Sequence, residues 1–309
     1  TLSWPLDTWS RRLDSGNGFD YTWHRLGLRR TELPYINRPR HGAGRRVLRL
    51  LETHGLSICF GGLKAVDQVD LFVDDGEVLS LIGPNGAGKT TFFNLVSGFL
   101  APDAGSARYR DRDITGLPPY RIAAMGLVRT FQKTNIFSEI PVRDGVVTGF
   151  HLMRHASIPS ILLHNRRARA EQAEVERRAA ETLAFTGLGP WADQLGKNLP
   201  YGKQRILEIA VALAASPRLL LLDEPASGLN PAETNDLMAL IRRIRDERRI
   251  TVLLIEHNMR LVVGISDRVV VLNQGRKIAD GPPGVVSKDA AVVEAYLGRG
   301  FVEGASVHA

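Results

Sequence analysis

Gly83-Pro84-Asn85-Gly86-Ala87-Gly88-Lys89-Thr90 fits the pattern G-x-x-x-x-G-K-[ST], and it follows the short apolar run Val78-Leu79-Ser80-Leu81-Ile82. The run is strand-sized and reads as a buried strand. The eight residues after it read as a phosphate-binding loop. Glycines let such a loop wrap until consecutive backbone N–H groups point inward at an anion. Lys89 adds a point charge for terminal phosphates, and Thr90 offers a hydroxyl to Mg²⁺. A helix start follows, and its dipole favours the same anion. Gly83, Asn85, Gly86, Ala87, Gly88, Lys89, Thr90 and Thr91 are therefore the expected nucleotide contacts.

Working outward, Leu219-Leu220-Leu221-Leu222-Asp223-Glu224 is an apolar run too short for a helix and ending in two acids. It reads as a central strand carrying carboxylates at its carboxyl end. Asp223, 134 positions after Lys89, is placed to hold the Mg²⁺ shell, and Glu224 to polarise a water for in-line attack on the γ-phosphate. A strand ending in acids is common by itself. Behind a phosphate loop it points to an NTPase that uses Mg²⁺.

The segment before that strand, Asn198-Leu199-Pro200-Tyr201-Gly202-Lys203-Gln204-Arg205-Ile206-Leu207-Glu208-Ile209-Ala210, resembles the signature segment of ATP-binding cassette (ABC) proteins. Asp223 follows Gly202 by 21 residues, as the resemblance demands. Further elements match the family in order. Thr130-Phe131-Gln132 looks like the Q-loop, Ser227-Gly228-Leu229-Asn230 like the D-loop, and Ile255-Glu256-His257 like the switch histidine. Phe60 is placed like the aromatic that stacks on adenine. Singly, each residue type is ordinary; the series carries the reading. The resemblance covers roughly residues 52 to 299. It implies an α/β P-loop NTPase fold with a mixed β-sheet core and an inserted helical subdomain at about 142–205. It further implies that Gln132 joins Thr90 and Asp223 around Mg²⁺, and that His257 senses the γ-phosphate.

The signature departs from the family pattern. Pro200 stands where a serine would reach a γ-phosphate, and proline has neither hydroxyl nor N–H to offer. Tyr201 replaces the first glycine and Lys203 the glutamine. Gly202 and the helix N-terminus from Lys203 onward remain as the anion-facing surface. In the family this surface, here Tyr201, Gly202 and Lys203, contacts ATP held by a second nucleotide-binding domain. One set of motifs in one chain thus implies a dimer.

Several stretches narrow the resemblance to the ATP-binding subunit of branched-chain amino acid importers. They are Phe60-Gly61-Gly62-Leu63-Lys64-Ala65-Val66, Arg129-Thr130-Phe131-Gln132, Glu224 through Pro231, Ile255-Glu256-His257-Asn258-Met259 and Glu294-Ala295-Tyr296-Leu297-Gly298. An Asp usually follows the switch histidine there; this chain has Asn258. The implied partners are integral-membrane permease subunits, a second ABC ATPase subunit and, indirectly, a solute-binding protein, with the chain peripheral on the cytoplasmic face of the inner membrane. Importers of urea, amides or aromatic acids use similar ATPases. Two other readings stay open: a lipopolysaccharide-export-type ABC ATPase, and a non-transport ABC ATPase acting on ribosomes or DNA.

Composition bears on the last of these. The net charge of +7 is concentrated: residues 1–50 hold ten Arg, no Lys and four acids, so +6 of it lies there and +1 in the remaining 259 residues. A nearly neutral domain lacks the concentrated basic face of a nucleic-acid binder. Residues 1–50, with Trp4, Trp9 and Trp23, read as a poorly ordered basic extension, and 300–309 as a tail. No apolar stretch approaches 18 residues, so a transport pathway would belong to another chain. The single cysteine, Cys59, excludes an internal disulfide and is expected to be buried. Arg166 to Glu181 reads as a solvated helix. His151, His155 and His164 match no metal spacing and read as solvated.

Overall fold

The structure, a computed structural model, describes residues 48–130, 138–153 and 166–297. These lie in the larger of two units, Arg46–Ala309; the smaller, Thr1–Arg45, falls outside the described residues. Of the expected basic extension, residues 1–47 fall outside them, as do the C-terminal tail, His155 and His164, while Arg49 and Leu50 belong to the first strand rather than to an extension.

The first half runs β1 (Arg49–Phe60), β2 (Leu63–Asp74), β3 (Val78–Ile82), α1 (Lys89–Val96), β4 (Ala104–Tyr109), β5 (Arg112–Asp113), α2 (Pro119–Ala124) and β6 (Leu127–Arg129). Three helices follow, α3 (Val142–Gly149), α4 (Arg166–Thr186) and α5 (Tyr201–Ala214). Then come β7 (Leu219–Asp223), α6 (Pro231–Arg248), β8 (Thr251–Ile255), α7 (Met259–Ile265), β9 (Arg268–Asn273) and β10 (Arg276–Gly281). Two short helices, α8 (Pro283–Val286) and α9 (Ala290–Leu297), close the described chain.

Two sheets result. One is antiparallel, in the order β2-β1-β4-β5. The other runs β10-β9-β3-β8-β7-β6 and is parallel throughout except for the edge strand β10. The apolar runs of β3, β7 and β8 are explained by cover on both faces. Val78, Leu220, Leu222, Val252 and Leu254 enter a core shared with α3 to α7. Leu79, Leu81, Leu219, Leu221, Leu253 and Ile255 enter a second core shared with β1, β2 and α1. Alternate residues of one strand thus serve opposite cores.

Helix α4 contains the expected segment. Val175, Ala179 and Leu183, four apart, form its buried stripe, while Arg177 and Arg178 pair with Glu174 on its exposed side. The helix of the signature segment begins at Tyr201, two residues before the expected Lys203, with Pro200 as its N-cap residue. Proline's fixed φ suits that entry to a helix.

Cys59 corrects an expectation. It is exposed, not buried. On a period-two strand Ile58 takes the inward position, and Cys59 faces out. Its N–H donates to Asp103 Oδ2 at 2.7 Å.

Candidate nucleotide site

The carboxyl ends of three parallel strands meet at one level. Ile255 of β8 registers with Leu81 of β3 on one side and with Asp223 of β7 on the other. Open parallel sheets take their ligands just beyond such ends.

From β3 the chain turns through the glycine loop into α1. Gly83 has φ +150°, and a Cβ there would lie 2.1 Å from the Leu272 carbonyl oxygen. Gly88, the N-cap residue of α1, has φ +96°, and its Cβ would lie 2.2 Å from the Ala65 carbonyl oxygen. Close backbone approach and dihedral therefore both demand glycine at these places. Asn85, Gly86 and Thr90 are exposed, Thr91 is half-buried, and Ala87 is buried.

Lys89 is buried and bent back over its own loop, its Nζ donating to Gly83 O at 2.8 Å and Pro84 O at 2.9 Å. Burial holds its ammonium below the usual lysine range, while the carboxylates of Glu224 and Asp223 act in the opposite direction. The three charged residues thus share one electrostatic neighbourhood. At the loop's start, burial raises the Tyr296 phenol on α9, and a backbone hydrogen bond from Gly83 partly offsets the rise.

Asp223 is buried, and its Oδ2 accepts from Arg129 Nη2 at 2.7 Å. Its Oδ1 is buried with no hydrogen-bond partner among the described residues. Glu224 follows at φ +46°, a left-handed conformation uncommon outside glycine, and its N–H donates to Ile255 O at 3.0 Å. That turn takes Glu224 off the strand, where its Oε1 lies 4.0 Å from Nδ1 of the exposed His257. The two are together, although 33 residues separate them in the chain.

Phe60 is exposed at the end of β1. The partner strand of its hairpin carries Ala65, the residue against Gly88. Gln132 lies outside the described residues. Tyr201, Gly202 and Lys203 occupy the first turn of α5 and join the segment after Glu224. Tyr201 donates its hydroxyl to Ser227 O at 3.1 Å, and Gly202 packs against the Glu233 side chain. Among the described residues, no hydrogen bond or ion pair links them to Lys89, Asp223 or Glu224 within the chain.

Two residues without a role in the sequence reading belong to this site. Arg129, quoted there only as part of a family stretch, is buried against Asp223. Glu256, fully buried, accepts N–H groups from Ala226 at 2.8 Å, His257 at 3.1 Å and Asn258 at 3.2 Å. The available signal was a charged residue at a strand's carboxyl end, Arg129 as the last residue of β6 and Glu256 directly after β8.

A glycine loop between a parallel strand and a helix, with acids at the end of a nearby parallel strand, defines a P-loop NTPase. A family model described as ABC transporter matches residues 66–227, and one described as branched-chain amino acid ATP-binding cassette transporter matches 276–302. The chain belongs to the ABC transporter ATP-binding cassette family. It is 45% identical over 250 residues to the high-affinity branched-chain amino acid transport ATP-binding protein BraF of Pseudomonas aeruginosa, covering 81% of this chain and 98% of that one. It is 46% identical over 250 residues, with the same coverage, to LivG of Escherichia coli, which carries the same description. The lipopolysaccharide export system ATP-binding protein LptB of Escherichia coli is 35% identical over 251 residues, at 81% and 98% coverage. A crystal structure of an ABC transporter's ATP-binding cassette in its ADP conformation superimposes with a TM-score of 0.71 at 32% identity, covering 81% of this chain and 99% of that one.

Proposed function

We propose that this chain is the ATP-hydrolysing subunit of an importer of branched-chain amino acids, working with separate integral-membrane permease subunits, a second ATPase subunit and, indirectly, a solute-binding protein. The observation that carries this reading is the 46% identity, over 98% of its length, to a branched-chain amino acid transport ATP-binding protein. The lower 35% identity to the lipopolysaccharide-export ATPase ranks that reading second. Among the described residues no helix is long and apolar enough to cross a membrane, and we place the chain on the cytoplasmic face of the inner membrane, against its permease. Residues 51–299 are then the nucleotide-binding domain, with a helical subdomain at about 142–205.

The site fits ATP with Mg²⁺. Among the described residues Asp223 Oδ1 is a buried acceptor without a partner, and the Thr90 residue is exposed at the start of α1. Mg²⁺ is commonly held by one or two carboxylates together with substrate phosphates, and when bound it neutralises charge developing on the phosphate oxygens. Lys89, the loop amides from Gly86 onward and Thr91 hold the phosphates, Phe60 faces the base, and Gln132 completes the metal shell. Glu224 acts as general base, with His257 beside it. The first turn of α5, Tyr201 to Lys203, faces ATP held by the second subunit. Dimer closure and reopening then drive the permease.

The test is to recover full-length Glu224→Gln chain from its native membranes with ATP present and identify what accompanies it. Two permease chains and a similar second ATPase are expected. A jellyroll-bearing permease pair would move the assignment to lipopolysaccharide export, and recovery of ribosomes or DNA would overturn the transport reading.

A further inference from the structure

We propose that Arg129 is a positioning residue, holding the Asp223 carboxylate by one oxygen so that the other is presented to the metal; this rests on the Mg²⁺–ATP reading above. Arg129 ends β6, beside β7, where it pairs in register with Leu221. Its Nη2 donates to Asp223 Oδ2 at 2.7 Å. Its Nη1 donates to Asn94 Oδ1 at 2.6 Å and reaches Ser97 Oγ at 3.3 Å. The guanidinium also lies 5.5 Å from the Phe93 ring centroid. Arg129 therefore ties the acid-bearing strand to α1, the helix that carries Lys89 and Thr90.

The geometry leaves one task for Asp223. Both side chains are almost fully buried, at 7% and 3% exposure. With Oδ2 engaged, Oδ1 is the free acceptor, and it is buried without a partner among the described residues. A buried carboxylate oxygen without a donor is costly. Water held by a cation supplies the missing donor. Electrostatics alone would make Arg129 repel that cation, whereas orientation makes it an aid. The two effects predict opposite signs.

The experiment measures binding of a non-hydrolysed ATP analogue to the full chain with and without Mg²⁺, and Mn²⁺ binding by electron paramagnetic resonance. Arg129→Met is expected to cut the gain from Mg²⁺ about tenfold to a hundredfold, a larger effect than that on metal-free analogue affinity. Arg129→Lys, which keeps the charge but lacks the guanidinium fork, is expected to restore part of that gain. Asn94→Ala, which loosens Arg129 without touching Asp223, is expected to act in the same direction, and Mn²⁺ binding is expected to weaken in parallel. An unchanged or larger Mg²⁺ gain in Arg129→Met would show that Arg129 only balances charge, overturning the proposal. Loss of metal-free binding would reduce Arg129 to a structural role and overturn it equally. A wild-type chain with no Mg²⁺ gain would overturn the Mg²⁺–ATP reading itself, and this inference with it.

Discussion

Glu256 Oε1 accepts the Ala226 N–H at 2.8 Å, joining the end of β8 to the turn that leaves β7. Oε2 takes the N–H groups of His257 and Asn258. One fully buried carboxylate therefore holds the segment after Glu224 and the segment carrying His257. Truncation to alanine would leave these N–H groups without acceptors, each costing about 1–3 kcal/mol if it stays buried. Glu256→Ala is expected to lose about 3 kcal/mol or more, read as a lower urea midpoint with an unchanged slope. A loss under about 1 kcal/mol would show that water replaces the carboxylate.

The same residue shapes the pH dependence. Burial pushes the Glu256 carboxyl above its ordinary range, against the three N–H groups that favour the anion. With the folded pKa above the unfolded one, its stabilising contribution is fully present below the unfolded value and is lost as pH rises through the folded value. Wild type is therefore expected to lose stability relative to Glu256→Gln as pH rises through that window. Urea titrations of both proteins from the ordinary carboxylate range upward check this, a flat difference being the contrary result.

Glu224→Gln is expected to keep nucleotide binding and lower turnover by on the order of 10²-fold or more, since a general base supplies about that much. Phosphate release per chain, measured with permease present, is the readout. Unchanged turnover would remove Glu224 from the role.

Lys89→Ala is expected to weaken ATP binding about tenfold to a hundredfold, the worth of a charge-assisted hydrogen bond. The chain is expected to remain folded, because the hydrogen bonds of Lys89 Nζ go to its own loop, at Gly83 O and Pro84 O. Fluorescent nucleotide titration and thermal unfolding together separate lost contact from lost fold.

Gly202 offers a balance of opposed effects. A Cβ there would meet Glu233 Oε1 at 2.7 Å, and Glu233 completes the capping box with Asn230 at the start of α6. Displacing it costs about 1 kcal/mol, while alanine in the first turn of α5 gains about as much. Gly202→Ala is expected to be nearly neutral alone but to stabilise a Glu233→Ala chain by about 1 kcal/mol. Additive effects in the double-mutant cycle would dismiss the steric link.

The sequence by itself determined the phosphate loop, the strand that leads into Asp223 and Glu224, and a helix over Arg166–Glu181, which the structure extends to Thr186. Each is written in contiguous residues: glycine spacing, an apolar run too short for a helix, or helix formers with Glu and Arg three or four positions apart. Only the tertiary structure decided that Arg129 reaches Asp223, 94 residues away, and that Glu256 reaches Ala226, 30 residues away. Those pairings depend on β6 lying beside β7 and β7 beside β8. Strand order reflects how long-range cores close, which no local period records. Cys59 is a different case: its residue type favours burial, but the local alternation of its strand puts Ile58 inward instead. A side chain's partners follow from which surfaces the cores bring together; its spacing in the chain sets only what it can offer them.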